Sequence, residues 1–213
     1  MLILHWNELA SIKRELAVRD WFPGTSGNLS IKVQDEPLQC LVTVSGKDKY
    51  KETNEDFVLV NEDAEPLTDE GKPSAETVIH LEVYKKTDAG CSLHVHTLDN
   101  NLISELYFEQ GFITFKGVEL IKAFGIWAED GQLTIPIVEN YSDLPTLGKA
   151  ISHVIEPDTK AVLIRNHGIT VWGRNAFEAK RHLEACEFLF SYQMKLLHAK
   201  AANLKEVIKN GSY

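Results

Sequence analysis

Apolar residues recur at intervals of three and four positions in two long segments of the chain, which is the period of an α-helix with one buried face. In the segment 4–18, Leu9, Ile12 and Leu16 fall on one such face. In the C-terminal segment, Asn175 precedes the pattern and is a candidate N-cap. That pattern consists of Ala179, Leu183, Cys186, Phe190, Met194 and Leu197. We therefore expect a helix near each end of the chain.

Three segments between these ends also have helical features. Two of them carry stacked apolar residues, which are Leu98, Leu102 and Leu106, and Leu147, Ile151 and Val154. The third segment, 71–87, is entered through Pro73 and Ser74. Because such residues are common at the start of a helix, we expect Glu76 to lie in its first turn.

Short apolar runs bounded by Gly, Asn, Asp or Lys predict strands. The runs are 28–33 (NLSIKV), 40–45 (CLVTVS), 56–61 (DFVLVN), 90–97 (GCSLHVHT), 131–139 (GQLTIPIVE) and two pieces of 161–173 (AVLIRNHGITVWG). The segment 115–124 (FKGVELIKAF) is ambiguous. Strands joined by short turns, with helices before, between and after them, predict an antiparallel or mixed sheet covered by helices. Since no linker or repeat is evident, we expect a single domain over residues 1–213.

The composition is that of an ordinary globular protein, with 44% hydrophobic and 25% charged residues. Lys and Arg number 22 against 31 Asp and Glu, which gives a net charge of −9. This balance argues against nucleic acid as the main partner, because phosphate backbones need excess cations. No apolar run approaches the roughly 18 residues of a membrane span, and early His, Asn and Glu do not fit a secretory leader. The three cysteines are far apart, which predicts reduced thiols and a cytoplasmic location.

Two histidines stand two residues apart in the run "SLHVHT", residues 92–97. Alternate residues of a strand point to the same face, so we expect His94 and His96 to project together. A catalytic zinc site has three protein ligands and one open position. We predict His167 as the third ligand, because it lies in a tight break where Gly168 permits a turn that other residues disfavour. The other histidines are interpreted as surface or helix residues: His5, His80, His153, His182 and His198.

Five short motifs, taken together and in order, resemble the class II aldolase/epimerase superfamily. They are TSGNLS, SGKDK, SAETVIH, HVHT and RNHG, and the likeness extends over residues 9–192. The stretch RDWFPGTSGNLSIK is most similar to a dehydratase branch of that superfamily. The resemblance implies a three-layer α/β/α sandwich with a central, largely antiparallel sheet. It also implies a homotetramer with active sites near subunit boundaries, and one Zn²⁺ per subunit held by His94, His96 and His167.

The resemblance further implies residues for catalysis and for substrate binding. In the dehydratase branch a glutamate downstream of the paired histidines acts as the acid/base, and the matching position is Glu119. Many aldolases of the superfamily use a glutamate at the position of Glu76 instead, so the division of labour between these two carboxylates stays open. The implied phosphate-binding residues are Ser26, Gly27, Asn28, Ser45, Gly46, Lys49 and Ser74. Gly-rich turns with free N–H groups, next to a lysine, are also chemically suited to an anion.

The activity implied by the resemblance is that of a metal-dependent hydro-lyase, which removes water from a small phosphorylated ketose. Aldol cleavage or 4-epimerisation of a sugar phosphate is the alternative, because both begin by stabilising charge beside a carbonyl at the same metal. A third hypothesis is a non-enzymatic scaffold with a structural metal or none. The expected partner is a small molecule, and neither nucleic acid nor a membrane is expected.

Overall fold

Eight strands form one sheet in the computed structural model, which describes residues 2–69 and 71–210, with the backbone alone for 203–210. In chain order the strands are β1 (Asn28–Gln34), β2 (Gln39–Thr43), β3 (Phe57–Asn61), β4 (Cys91–Val95), β5 (Phe112–Lys116), β6 (Gln132–Val138), β7 (Ala161–Ile164) and β8 (Gly168–Gly173). Across the sheet their order is β3-β2-β1-β4-β8-β7-β6-β5. Neighbours are antiparallel, except for the parallel pair β6 and β7. The sheet is therefore largely antiparallel, as predicted.

Helices cover both faces of this sheet: α1 (Leu2–Val18), α2 (Thr77–Lys86), α3 (Leu98–Leu106), α4 (Leu144–Val154) and α5 (Ala176–Asn210). One apolar core lies between the sheet and α1, α3 and α5, and a second lies between the opposite face and α2 and α4. Successive strand residues supply the two cores alternately, so that Val171 packs in the first and Trp172 in the second. The predicted three-layer α/β/α sandwich is confirmed. Across the described residues, no helix combines the length and the apolar character that crossing a membrane requires.

Helix α2 begins later than the sequence predicts. Pro73 and Ser74 are paired with residues 43–44 through a β-bridge and a backbone hydrogen bond of 3.0 Å. These contacts keep the chain extended, so the helix begins at Thr77. Glu76 is therefore the N-cap residue and does not lie in the first turn, and its side chain makes no capping hydrogen bond. This leaves its carboxylate free to point away from the helix.

The ambiguous segment 115–124 contains the end of one strand and a short helix. Strand β5 alternates between exposed and buried residues, and its Ile113 and Phe115 reach the core. A 3₁₀ helix then spans Glu119–Phe124. The apolar pattern of the sequence did not predict β5 as a strand of its own.

The centre of the sheet brings residues together that are far apart in sequence. Strand β4 lies between β1 and β8, so His94 is opposite Asn28 on one side and Thr170 on the other. Strand β8 begins directly after His167 and runs antiparallel to β4. The end of β4, followed by His96, and the beginning of β8 therefore lie at the same edge of the sheet.

Candidate metal centre and phosphate pocket

Three histidine side chains meet at this edge of the sheet. The ring centroids of His94, His96 and His167 are 4.7 to 5.1 Å apart. Nε2 of His94 lies 2.9 Å from Nε2 of His96, and Nε2 of His167 lies 2.8 Å from Oε1 of Glu76. The structure thus brings together the three histidines that the sequence singled out, with Glu76 as a fourth member of the cluster.

Hydrogen bonds decide which ring nitrogen faces the cluster. Nδ1 of His94 donates to the carbonyl of Ile169 at 3.0 Å, and Nδ1 of His167 donates to Oδ1 of Asn140 at 3.1 Å. An imidazole that donates from Nδ1 presents the lone pair of Nε2, which is the form that binds a metal. Burial lowers the pKa of His94 to about 4, and burial with the neighbouring histidines lowers the pKa of His96 to about 3. Both rings are therefore neutral at pH 7.

Glu76 is held among these rings by several polar contacts. Its Oε2 accepts a hydrogen bond of 2.6 Å from Nδ2 of Asn28 and lies 3.7 Å from Nε2 of His94. Partial burial favours a higher pKa, but the close contacts with His167 and the other two histidines outweigh it and hold the pKa of Glu76 well below its usual range. Glu76 is therefore an ionised carboxylate at neutral pH.

The four side chains fit a small divalent cation. One ligand atom from each lies within 4.8 Å of all the others. A tetrahedral zinc ion with bonds of about 2.0–2.1 Å separates its ligand atoms by about 3.3 Å. The observed separations of 2.8, 2.9 and 3.7 Å lie on either side of that value. Imidazoles also suit iron, cobalt or nickel, so the geometry indicates a divalent metal site without selecting the metal.

Gly168 is required for space and not for its backbone conformation. A Cβ atom there would lie 2.5 Å from the carbonyl oxygen of Val95 and 2.7 Å from Cδ2 of His96. The left-handed residue of this turn is Asn166, with φ of 50°. The prediction that Gly168 provides an unusual turn is therefore wrong. Its missing side chain lets β8 approach the end of β4, which allows the rings to meet.

The TSGNLS segment packs against the same strand. Gly27 has φ of 74°, and a Cβ atom on it would lie 2.7 Å from the carbonyl oxygen of His94. The hydroxyl of Ser26 is buried and has no hydrogen-bond partner among the described atoms. The side chain of Asn28, a predicted phosphate contact, is buried and donates to Glu76. The structure thus gives that amide a hydrogen-bond partner, Glu76, in the histidine cluster.

Lys49 lies next to this segment and is only 5% exposed. Its Nζ donates to the carbonyl oxygen of Thr25 at 2.7 Å. Burial lowers the pKa of Lys49 to about 8, although the nearby charge of Glu76 acts to raise it. A buried ammonium group hydrogen-bonded to Thr25, the residue before the unpartnered hydroxyl of Ser26, is suited to an anion such as a phosphate.

The other predicted phosphate residues adjoin Lys49. The backbone N–H of Ser45 donates to the carbonyl of Lys72 at 2.9 Å, which connects the SGKDK turn to the segment that contains Ser74. Gly46 is exposed, with φ of 71°. The three segments that are predicted to bind phosphate therefore form neighbouring loops beside the histidine cluster.

Glu119 does not join the cluster of its own chain, in so far as the structure describes it. It is the first residue of the 3₁₀ helix, and its side chain is 82% exposed, with Oε1 2.8 Å from Nζ of Lys122. It borders a surface cavity of about 330 Å³ that Trp127, 72% exposed, also lines. Within one chain, Glu76 is therefore the carboxylate beside the histidines.

His80 is a residue of this site that the sequence pattern did not reveal. It is fully buried on α2, where its ring contacts Ser92 and Asn28. Glu76 and His80 are four residues apart, a spacing that places two side chains on one side of a helix. That spacing within SAETVIH was the available signal.

A family model described as Class II Aldolase and Adducin N-terminal domain matches residues 7–194 of the chain. A Geobacillus sp. (strain WCH70) protein named methylthioribulose-1-phosphate dehydratase is 60% identical over 210 residues, covering 98% of this chain and 99% of that protein. A Bacillus subtilis (strain 168) protein of the same name is 63% identical over 193 residues, covering 90% and 92%. The solved structure of L-fuculose-1-phosphate aldolase from Thermus thermophilus aligns with a TM-score of 0.72 at 20% identity, covering 95% of this chain and 99% of that one. The resemblance inferred from the five motifs is confirmed, and the structural likeness shows the fold.

Proposed function

The chain belongs to the class II aldolase and adducin N-terminal domain family, and from this premise we propose that it is a metal-dependent dehydratase of methionine salvage. The reaction proposed is conversion of 5-methylthioribulose 1-phosphate to 2,3-diketo-5-methylthiopentyl 1-phosphate and water. Relatives about 60% identical over nearly the whole chain carry the name of this enzyme. The observation that carries the proposal is the group of three imidazoles and Glu76 beside the loop that contains Lys49.

In this proposal His94, His96 and His167 hold one Zn²⁺ per subunit through their Nε2 atoms. When bound, the cation supplies Lewis-acid stabilisation of the negative charge that develops beside the ketose carbonyl. Neutral rings favour metal binding because no proton has to be displaced from Nε2. The ligand roles of His94 and His167 are supported by their Nδ1 hydrogen bonds, which leave Nε2 facing the cluster.

The substrate phosphate is proposed to bind in the neighbouring loops. Lys49 supplies the positive charge, and the unpartnered hydroxyl of Ser26 supplies a hydrogen bond. The remaining proposed contacts are Gly27, Asn28, Ser45, Gly46 and Ser74. Because these loops lie next to the histidine cluster, one small molecule can contact the metal and the phosphate-binding loops at the same time.

The dehydration needs a group that removes the proton from C3 and a proton for the hydroxyl that leaves from C4 as water. The resulting enol then rearranges to the diketone. We assign the proton transfers to Glu119. Because Glu119 is exposed on its own chain, it would act in the site of a neighbouring subunit. Trp127 beside it would then offer an apolar surface to the methylthio group.

An exposed apolar stripe next to the cluster supports a subunit boundary there. It consists of Leu98, Leu102 and Leu106 of α3, which are 75%, 39% and 57% exposed. Apolar patches of this kind usually mark contact surfaces. We propose a homotetramer that covers this stripe and brings Glu119 of one subunit to the histidines of another. A cytoplasmic location is proposed because Cys40, Cys91 and Cys186 are all free thiols.

Aldol cleavage or 4-epimerisation of a sugar phosphate is the second candidate, and one observation favours it. Glu76, which matches the acid/base of many aldolases, is the carboxylate that lies at the cluster within the chain. Incubation of the Zn²⁺-loaded protein with 5-methylthioribulose 1-phosphate distinguishes the two. We expect diketone absorbance that requires the metal, and no triose release from simple sugar phosphates. Triose release without diketone formation would favour the aldolase, and the metal-free protein is the control.

A further inference from the structure

A line of buried polar side chains runs from α2 through the sheet to the histidine cluster. His80, with no exposed surface, has Nδ1 2.8 Å from Oγ of Ser92, and its Nε2 is hydrogen-bonded to Oδ1 of Asn28. Asn28, 1% exposed, donates from Nδ2 to Oε2 of Glu76 at 2.6 Å. The other carboxylate oxygen of Glu76 lies 2.8 Å from Nε2 of His167. The line therefore connects a helix on one face of the sheet to a proposed metal ligand.

From Glu76 to Ser92, the donors and acceptors in this line have one consistent arrangement. An ionised carboxylate only accepts hydrogen bonds, so Glu76 must face the Nδ2 group of Asn28. Oδ1 of Asn28 then needs a donor, and Nε2–H of His80 is in contact with it. With its proton on Nε2, the His80 ring accepts at Nδ1 from the hydroxyl of Ser92. Burial lowers the pKa of His80 to about 4, which agrees with a ring that carries one proton.

His80 therefore holds the oxygen end of the Asn28 amide, while Glu76 holds its nitrogen end. The oxygen and nitrogen ends of an amide are almost the same size, so packing alone does not distinguish them. Without the donor on His80, Oδ1 of Asn28 would be buried without a hydrogen bond, and the amide would be held by Glu76 alone. An amide held at one end can tilt towards another donor, so the carboxylate of Glu76 would lose its fixed position.

We propose that His80 is a positioning residue that, through Asn28, holds the carboxylate of Glu76 in the geometry required for tight binding of a divalent metal. This inference rests on the metal site of the proposed function, but it does not require the dehydratase reaction. Groups that hydrogen-bond a metal ligand directly typically change metal affinity or activity by about 10–100-fold, and a group one hydrogen bond further away is expected at the lower end of that range.

The chain offers a matched control one turn further along α2. Tyr84 is also buried, and its hydroxyl donates to Oγ of Ser30 at 3.0 Å. This bond joins the same helix to the same strand as the His80–Asn28 bond, but the Tyr84 hydroxyl bonds neither Asn28 nor Glu76. Tyr84→Phe thus removes the buried contacts of this hydroxyl with the side chain of Ser30 and the backbone of Ser92, and it leaves the side-chain hydrogen bonds of the line to Glu76 intact.

The test is the Zn²⁺ dissociation constant of the full-length protein, measured by competition with a chromophoric chelator. His80→Leu is expected to weaken binding by about tenfold, the lower end of that range. His80→Gln keeps a side-chain N–H that can donate to Asn28, so we expect affinity within about threefold of wild type. Tyr84→Phe is expected to bind like wild type. Far-UV circular dichroism confirms that each variant is folded.

Wild-type affinity in folded His80→Leu would overturn the proposal, as would equal weakening in Tyr84→Phe or a failure of His80→Gln to restore binding. If His80→Leu does not fold, Ser92→Ala decides the question, because it removes the donor that fixes the His80 ring. We expect about 3–10-fold weaker Zn²⁺ binding in that variant, and unchanged affinity would contradict the proposal. A lack of turnover with 5-methylthioribulose 1-phosphate would count against the proposed function and leave these affinities unaffected.

Discussion

Burial changes the chemistry of single residues in this protein, and Lys49 shows how. Its ammonium group is enclosed between loops and has a pKa lowered to about 8. A lysine with a lowered pKa is charged below that pH and neutral above it. The phosphate pocket proposed around Lys49 should therefore bind its ligand well near neutrality and lose affinity in mildly alkaline solution.

We predict that the KM for the phosphorylated substrate is nearly constant up to about pH 7.5 and rises above pH 8, by about tenfold per pH unit at most. Lys49→Ala should raise KM at neutral pH by about 10–100-fold with a smaller change in kcat, and should abolish the alkaline rise. Lys51→Ala is the matched control, since Lys51 lies in the same loop with its side chain 78% exposed. An identical pH dependence of KM in Lys49→Ala and wild type would remove Lys49 from the phosphate site.

The candidate residues that the sequence revealed are those with strong chemical signatures. The paired imidazoles and a third histidine next to a glycine pointed to a metal, and the structure places the three rings together. His80 was missed because its partners, Asn28 and Ser92, are 52 and 12 positions away. A contact between residues on three different elements depends on the register of the sheet, which a single sequence does not specify.

At the scale of elements, a buried carboxyl group on α5 anchors the beginning of α3, directly after His96. Oε2 of Glu187 accepts from the hydroxyl of Thr97 at 2.7 Å, and Oε1 accepts from Nδ2 of Asn100 at 2.8 Å. Thr97 in turn caps α3 by accepting from the backbone N–H of Asn100. Burial raises the pKa of Glu187 from 4.5 to about 7, although these two hydrogen bonds act to lower it.

This pKa has a consequence for stability. A carboxyl group whose pKa is raised by folding stabilises the folded state at low pH, and that contribution is lost as the pH rises through the folded-state value. We predict that the free energy of unfolding of wild type, minus that of Glu187→Gln, falls by about 3 kcal/mol between about pH 4.5 and 7. Denaturant titrations across this range measure the difference. The amide introduced by Glu187→Gln also faces two donors, which lowers stability at every pH, so the slope is the informative quantity, and parallel curves would contradict the prediction.

The elements themselves were predicted best where the pattern was long and the capping residue was clear. Asn175 caps α5 as predicted, since its Oδ1 accepts from the backbone N–H of Glu178 at 2.9 Å. The beginning of α2 was wrong because residues 43–44 hold the preceding segment extended. Strand β5 was missed because it is short and runs directly into a segment with apolar residues at mixed spacing. A tertiary contact thus overrides the local pattern at α2, whereas at β5 the local pattern is too short to decide.

At the scale of the whole molecule, the two proposed halves of the active site lie apart on one chain. The histidine cluster is at one edge of the sheet, whereas Glu119 is exposed on a 3₁₀ helix that packs against α5. The sequence predicted the layers of the sandwich from repeating apolar patterns. It could not show which surfaces meet between subunits, because α3 exposes its leucines in a pattern that also fits a buried face.

Mixing two inactive variants tests whether the halves come from different subunits. His96→Ala should lose metal and activity, and Glu119→Gln should keep metal but slow kcat by about 10²–10⁴, the usual contribution of a positioned acid/base. When the two variants are co-expressed and co-purified, the mixture should regain up to roughly a quarter of wild-type activity. Random assembly places an intact set of histidines opposite an intact Glu119 at about that share of subunit boundaries. No gain over the separate variants would indicate that Glu119 acts within its own chain or takes no part.

The proposals about substrate, acid/base and subunits all depend on three Nε2 atoms sharing one cation. Zinc-edge anomalous diffraction from crystals grown with Zn²⁺ measures this directly. We expect one peak per chain, about 2.0–2.1 Å from Nε2 of His94, His96 and His167, and no peak in His96→Ala. A peak on other residues, or three rings that diverge around an empty site in the presence of zinc, would contradict the assignment.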